Sequence, residues 1–205
     1  SLLGVSIAYD DPGGPLPPVV CLHAIGHGAG DFVAFRQRVG ESFRVIAIDW
    51  PGQGASDPDP QPLSVDRYRA LLVAFLDHLG LDKVTLLGNS VGGATALAFA
   101  ARYPERVHRL VVCNPGGLFH RFWVSRLMIS LMVALFAAGA SRRRGFLPLF
   151  STFYRMILAL PPAHTQRDRI IATGHEIAPV LRDAWRSFAD DSADLRRVVP
   201  KITAP

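Results

Sequence analysis

Short apolar runs alternate with longer amphipathic segments over the first 117 residues of the chain. The short runs predict buried strands, and the longer segments, in which apolar residues recur every three or four positions, predict helices. The predicted buried strands are Pro18–Leu22, Arg44–Ile48, 83–87 and 109–113. The predicted helices begin near Asp31, after Ser64 and at Ala94. This order predicts an α/β fold with a mostly parallel central sheet and helices on both of its faces.

The N-terminal residues predict one more strand. Residues 4–10 alternate between apolar and polar side chains, as a half-buried strand does. Turn-forming residues follow at Asp11, Pro12 and Gly13. We therefore expect this strand and Pro18–Leu22 to form a hairpin.

Residues 118–199 have a different pattern, with helical periodicity and no convincing strand. Residues 122–140 are strongly apolar and are broken only by Arg126, and three arginines follow at 142–144. The uninterrupted part, residues 127–140, is too short to cross a bilayer. We expect this helix to cover a pocket, and contact with a membrane surface is the less favoured alternative.

Composition narrows the classes of function. A hydrophobic share of 49% and a mean hydropathy of +0.22 indicate a folded, core-rich protein. The net charge of +5 is spread along the chain with no nucleic-acid-binding motif, so we expect no nucleic-acid partner. Cys21 and Cys113 lie in apolar runs and predict buried free thiols in a reducing, cytoplasmic location. Because no histidine has metal-ligand spacing with them, we expect neither a metal nor a cofactor.

The sequence Gly88-Asn89-Ser90-Val91-Gly92 lies between a predicted strand and a predicted helix. A G-x-S-x-G motif in this context is the arrangement of a nucleophile elbow, in which a sharp turn exposes the serine. The flanking glycines avoid clashes across that turn. The alternative is a glycine-rich turn whose serine only caps the helix.

Polar residues follow the ends of the predicted strands. These residues are His23, Asp49, Ser90 and Asn114. Because ligands bind beyond the carboxyl ends of parallel strands, we expect a site at this edge of the sheet.

With these motifs assembled, the chain resembles the α/β-hydrolase family over essentially its whole length. Residues 88–97 and 114–118 are most similar to the meta-cleavage-product C–C hydrolases and related esterases, and residues 49–56 resemble another family landmark. The resemblance implies an N-terminal part of the hydrolase core at 1–117 and a helical cap at 118–199. Residues 200–205 would then begin the return to the core.

The resemblance also implies roles for individual residues. Ser90 would be the nucleophile, and the backbone N–H groups of Val91 and Ile25 would bind the oxyanion. Asn89 and His27 would contact the substrate, a small apolar ester or diketone-type compound. Dehalogenase chemistry is disfavoured, because it would place an aspartate where Ser90 stands.

In this family the catalytic acid and histidine follow the cap, and we expect both to be missing from these 205 residues. The chain would then be a hydrolase fragment that lacks strands at each end, has little triad-type activity and exposes a sheet edge. The alternative is a non-catalytic module of the same fold that binds a partner or a membrane through residues 127–140.

Overall fold

The computed structural model describes residues 1–118, 123–190 and 193–205. Its strands are β1 Tyr9–Asp10, β2 Pro18–Leu22, β3 Arg44–Ile48, β4 Val84–Asn89 and β5 Val107–Cys113. Its α-helices are α1 Val33–Val39, α2 Val65–His78, α3 Val91–Arg102, α4 Trp123–Ala140, α5 Phe146–Ile157, α6 His164–Ala172 and α7 Gly174–Ser187. Short 3-10 turns precede α1 and α6 and lie near the C-terminus.

The five strands form one mixed sheet in the order β1-β3-β2-β4-β5. All neighbouring pairs are parallel except β1 and β3. The register pairs Leu22 of β2 with both Ile48 of β3 and Gly88 of β4, so the three central strands end at nearly the same level. The loops after β2, β3 and β4 therefore meet at one edge of the sheet, as the sequence predicted.

Side chains of the central strands alternate between the two faces of the sheet. Val20, Ile46 and Leu86 pack on one face in the main core with α2 and α3. On the other face, Cys21 and Val45 pack with residues of α1 and the 3-10 turn before it. Apolar residues on both faces explain why these strands read as continuous hydrophobic runs.

The predicted N-terminal hairpin is wrong. Residues 4–10 contribute only the two-residue strand β1, which pairs with β3 and not with β2. Both edges of β2 are already occupied, by β3 and β4, so no edge remains for a hairpin partner. Turn chemistry at Asp11–Gly13 reverses the chain but cannot specify which strand it meets.

The prediction for the cysteines is wrong for one of the two. Cys21 is a buried free thiol, whereas Cys113 is free and exposed. Arg109, Val111 and Cys113 lie on the same side of β5 and are all exposed, because no helix in the described part of the chain covers that side.

Between residues 123 and 190, the regular elements that the structure describes are helices joined by short turns, with no strand among them, as predicted. The expected helix over 122–140 is α4, although residue 122 lies outside the described residues. Helix α4 packs along α7, and Phe136, Phe146 and Phe150 form the centre of a second core. Gly139 lets α4 approach the start of α5 closely, because a Cβ at this position would lie 2.4 Å from the Phe146 ring.

The C-terminal residues return to the sheet. Leu195 packs in a small cluster with Leu97 of α3, and Ile202 packs against the main core. The Leu110 N–H on the outer edge of β5 donates to the Pro205 carbonyl at 2.9 Å. Residue 205 therefore lies beside the outer edge of β5.

Candidate active site

Ser90 occupies a sharp turn between β4 and α3. Its φ is 53° and its ψ is −114°, a conformation that non-glycine residues rarely adopt. The Ser90 N–H donates to the Cys113 carbonyl at 3.0 Å, and the Ser90 carbonyl accepts from Gly116 N–H and Ala94 N–H. The neighbouring strand end and the first turn of α3 thus hold the strained residue in place.

Two glycines of the motif make this turn sterically feasible. A Cβ on Gly88 would lie 2.6 Å from the Gly92 carbonyl oxygen. A Cβ on Gly92 would lie 2.2 Å from the Leu22 carbonyl oxygen at the end of β2. Both distances are far below van der Waals contact, so the motif needs glycine at both positions.

The Ser90 side chain does not cap helix α3. It accepts no capping hydrogen bond, whereas Ser64, which precedes α2, accepts one from the Arg67 N–H at 3.0 Å. Ser64 has the extended backbone typical of an N-cap, with φ −150°, and Ser90 does not. The geometry therefore contradicts the alternative in which the serine of the motif only caps its helix.

The loop after β2 carries Ile25 toward the same edge. The next residue is fixed by Gln53, whose Oε1 accepts from the Gly26 N–H at 2.6 Å. Ile25 itself packs against both the main core and the second core formed by α4, α5 and α7. Neither the Ile25 N–H nor the Val91 N–H donates to a backbone carbonyl among the described residues. Both donors remain available at the edge of the sheet.

His23 has a structural role. Its side chain is fully buried, its Nε2 accepts from the Trp50 N–H at 2.9 Å, and its Nδ1 donates to the Ala24 carbonyl at 2.7 Å. Burial lowers the pKa of His23 to about 4, so the imidazole is neutral and confined to one tautomer. With both nitrogens engaged, His23 cannot accept a proton from Ser90 while the loop keeps this structure.

Asp49 also serves the loops. Its Oδ1 accepts from the Ala29 N–H at 2.7 Å, and its Oδ2 accepts from the Ala55 N–H at 3.0 Å. The fit depends on Gly54, where a Cβ would lie 2.2 Å from the Asp49 carboxyl carbon. Asp49 was expected among the chemical groups at the strand ends, but the structure uses it to tie the loop after β2 to the loop after β3.

A cleft of about 510 Å³ lies between the strand ends and the cap. The core side contributes His27, Asn89 and Cys113 to its lining, and α6 contributes Thr165 and Arg169. Of the five predicted site residues, the cleft lining therefore includes His27 and Asn89. Ser90 is half-buried and follows Asn89 in the chain, and the cleft lining does not include Ser90, Val91 or Ile25.

The cleft has a polar wall with two features that the sequence did not reveal. The Nδ1 of His27 lies 2.7 Å from the Asp31 carboxylate, so the two side chains form a hydrogen bond on this wall. Arg169 lines the cleft and forms no ion pair with any described residue. Arg169 was missed because α6 is short and polar on several sides, and nothing in its local pattern marks the side that faces the core.

The described residues contain no group of three or more histidine, cysteine, aspartate or glutamate side chains that could hold a metal ion. Among the described residues, the chemical groups at the cleft are its hydrogen-bonding side chains and the cation of Arg169. The strained Ser90 follows Asn89 of the lining. His120, which the sequence places in the cap, lies outside the described residues.

This chain belongs to the alpha/beta hydrolase fold family, which matches residues 17–166. Among relatives of known activity, it is 40% identical over 119 residues to 2-hydroxy-6-oxononadienedioate/2-hydroxy-6-oxononatrienedioate hydrolase 1 of Pseudomonas putida, covering 56% of this chain and 42% of the relative. It is 39% identical over 109 residues to 2-hydroxy-6-oxo-6-phenylhexa-2,4-dienoate hydrolase of Comamonas testosteroni, covering 49% and 37%. The matched region thus spans less than half the length of these curated relatives.

Solved structures share the fold. The enol-lactonase from Burkholderia xenovorans LB400 superposes with a TM-score of 0.79 at 23% identity, covering 100% of this chain and 77% of that one. A thermophilic esterase from Thermogutta terrifontis gives a TM-score of 0.77 at 22% identity, covering 97% and 72%. The relatives confirm the predicted resemblance to meta-cleavage C–C hydrolases, and the solved structures confirm the α/β-hydrolase fold.

Proposed function

We propose that this protein is a serine hydrolase in which Ser90 Oγ attacks the carbonyl carbon of a carboxylic ester or of a diketone-type compound, where a C–C bond is cleaved. The observation that carries this proposal is the strained backbone of Ser90, with φ 53°, together with a hydroxyl that caps no helix. A strained residue persists only where its surroundings over-determine it, and the strand-end and helix contacts of Ser90 do so here. An N-cap such as Ser64 needs no such strain.

The oxyanion formed by the attack would be bound by the backbone N–H groups of Val91 and Ile25. Val91 is the first residue of α3, where N–H groups have no partner inside the helix and the helix dipole favours negative charge. Gln53 fixes the second donor by holding the adjacent Gly26 N–H. Each well-placed donor of this kind lowers the barrier by about 3 kcal/mol.

Arg169 in the cleft supports a small substrate that carries a carboxylate in addition to its reacting carbonyl. The named relatives hydrolyse oxo-dienoate and oxo-dienedioate compounds, which contain a carboxylate. Arg169 offers a cation that has no ion-pair partner among the described residues, and it could bind such a group. Asn89 and His27 would contact the remainder of the substrate, and the Asp31 carboxylate fixes the ring of His27.

Serine needs a base to become an effective nucleophile. No described histidine forms a hydrogen bond with the Ser90 side chain, and His23 uses both of its nitrogens elsewhere. We therefore expect the 205-residue chain to acylate slowly. The loss relative to a complete serine hydrolase should be about 100-fold or more, the usual contribution of general-base catalysis.

The test is labelling by a fluorophosphonate, with the modified residue mapped by mass spectrometry. We expect slow, stoichiometric labelling of Ser90 that is accelerated by added imidazole, because imidazole supplies the base. Ser90→Ala should abolish both the basal and the imidazole-dependent labelling. Ser64→Ala is the matched control, since it removes a serine at another helix N-terminus, and labelling should persist.

Two results would contradict the proposal in different ways. Labelling that is equal in wild type and Ser90→Ala would remove Ser90 as the nucleophile. Labelling of Ser90 at the rate of a complete serine hydrolase, without imidazole, would keep the nucleophile but show that this chain supplies its own base.

A further inference from the structure

Helix α4 exposes an apolar stripe on the side turned away from the second core. Its residues are Trp123, Val124, Leu127, Met128 and Leu131. They recur at the spacing of one helical face, opposite the buried residues that pack toward α7. The exposed fractions of Leu127 and Leu131 are 52% and 57%, and that of Trp123 is 75%. The water-facing side of an ordinary surface helix is polar, so this stripe indicates a partner surface.

The charged residues of α4, α5 and their connection are all positive. Residues 123–160 contain five arginines and no acidic residue, and the formal net charge of the whole chain is +5. The rest of the chain is therefore neutral, and the basic character of the protein is concentrated on α4, α5 and their connection. Arg126, Arg143 and Arg144 are exposed and form no ion pair with a described residue.

The packing of α4 against the rest of the protein argues against a transmembrane role. In the described part of the chain, α4 is the one helix that is long and apolar enough to cross a membrane, with mean hydropathy 1.7. However, Ile129, Phe136 and Gly139 hold its other side against the protein. The helix can therefore bury only its stripe in lipid, lying in the plane of the interface.

Charge also distinguishes a lipid surface from a second copy of the chain. A symmetric dimer through the stripe would bring two sets of unpaired arginines together, because the same surface is used twice. An anionic bilayer instead offers an apolar layer for the stripe and negative headgroups for the arginines. The exposed Trp123 of the stripe suits the boundary between these two layers.

We propose that the stripe of α4, with Arg126, Arg143 and Arg144, docks the protein on an anionic phospholipid bilayer. This surface is separate from the cleft, which is lined by α6 and the strand ends. The proposal does not depend on the catalytic role of Ser90.

The test is co-sedimentation of the 205-residue chain with vesicles of phosphatidylcholine, with or without about 30% phosphatidylglycerol. We expect binding that requires phosphatidylglycerol and weakens with added salt. The double variant Leu127→Gln, Leu131→Gln should lower the partition coefficient about a hundredfold, because it removes two leucine contacts of about tenfold each. Replacing Arg143 and Arg144 by glutamine should lower it about thirtyfold, at about 1 kcal/mol for each cation.

Matched controls separate the surface from general hydrophobicity and charge. Leu16→Gln removes an exposed leucine from the core domain, and Arg38→Gln with Lys201→Gln removes two exposed cations elsewhere. Both should bind like wild type. The emission of Trp123 should shift to the blue on vesicle addition, and Trp123→Phe should abolish the shift, because Trp50 is already buried and Trp185 packs against the second core and Phe188.

The proposal is overturned if the chain does not sediment with anionic vesicles, or if the control variants lose as much binding as the α4 variants. It is also overturned if light scattering after gel filtration shows a dimer that Leu127→Gln, Leu131→Gln dissociates. That result would identify a second copy as the occupant of the stripe.

Discussion

At the scale of single residues, His23 couples the loop after β2 to pH. Its neutral imidazole accepts from Trp50 N–H and donates to the Ala24 carbonyl, and burial lowers its pKa from 6.5 to about 4. The unfolded chain therefore binds a proton at a higher pH than the folded chain does. The stability that follows is fully present above pH 6.5 and is lost as the pH falls toward about 4.

We predict that this residue makes wild type lose about 3 kcal/mol of unfolding free energy over that interval. His23→Gln should be less stable at neutral pH but should lack this part of the pH dependence. The measurement is urea unfolding at several pH values, compared as a difference between the two proteins. Carboxylates such as Asp11, whose pKa is lowered mainly by a hydrogen bond from Arg44, cancel in that difference because both proteins contain them.

His78→Gln is the control, since His78 is exposed at the end of α2. Its pH profile should follow that of wild type. If His23→Gln keeps the wild-type slope between pH 6.5 and 4, the buried imidazole does not carry the effect.

The positions of the site residues were predictable from the sequence only where they depend on where a strand ends. Asn89 and His27 lie in the cleft because they follow strand ends, which the hydrophobic pattern located correctly. The role of Asp49 depends on two loops meeting, and the lack of a side chain at Gly54 gives room for its carboxylate. Arg169 lies far along the chain in α6, and only the packing of the cap helices brings it to the cleft.

At the scale of elements, the junction between β2 and α3 decides whether the elbow forms. A Cβ on Gly92 would lie 2.2 Å from the Leu22 backbone oxygen, whereas a Cβ on the next residue, Gly93, would lie 3.0 Å from the Pro115 side chain. Alanine stabilises a helix by about 1 kcal/mol relative to glycine. Alanine at either position thus brings the same gain in helix propensity. The two substitutions differ in how closely the new Cβ approaches its neighbours.

We predict that Gly92→Ala destabilises the protein by about 3 kcal/mol and abolishes Ser90 labelling, because α3 must move away from β2. Gly93→Ala should change the stability by less than about 1 kcal/mol and keep the labelling. Thermal or urea unfolding and fluorophosphonate labelling measure the two effects. Equal behaviour of the two variants would show that the approach of α3 to Leu22 does not fix the turn.

Sequence periodicity identified elements better than it identified their partners. The bounds Arg44–Ile48 agree with β3, and Ser64 caps α2 as predicted. The short strand β1 joined β3 and not β2, because pairing depends on which sheet edges remain free. Local patterns carry no information about those edges.

At the scale of the whole molecule, β5 is an edge strand of the sheet, and one of its faces is exposed in the described structure. Val111 is 48% exposed, and Arg109 and Cys113 on the same side are also exposed. Along its outer edge, the Leu110 N–H is bonded to the Pro205 carbonyl, which gives this seven-residue strand one backbone bond from the C-terminal segment. A long edge with an apolar side chain on its open face favours pairing between molecules.

We predict that the 205-residue chain aggregates through β5, and that Val111→Lys slows this aggregation several-fold. A lysine on an edge strand opposes pairing, and its cost to stability should be within about 0.5 kcal/mol because the position is half-exposed. Light scattering at fixed protein concentration, with reductant present to exclude disulfides of Cys113, measures the rate. Leu16→Lys adds the same charge in an exposed loop and should leave the rate unchanged; if it slows aggregation equally, net charge and not the β5 edge controls the association.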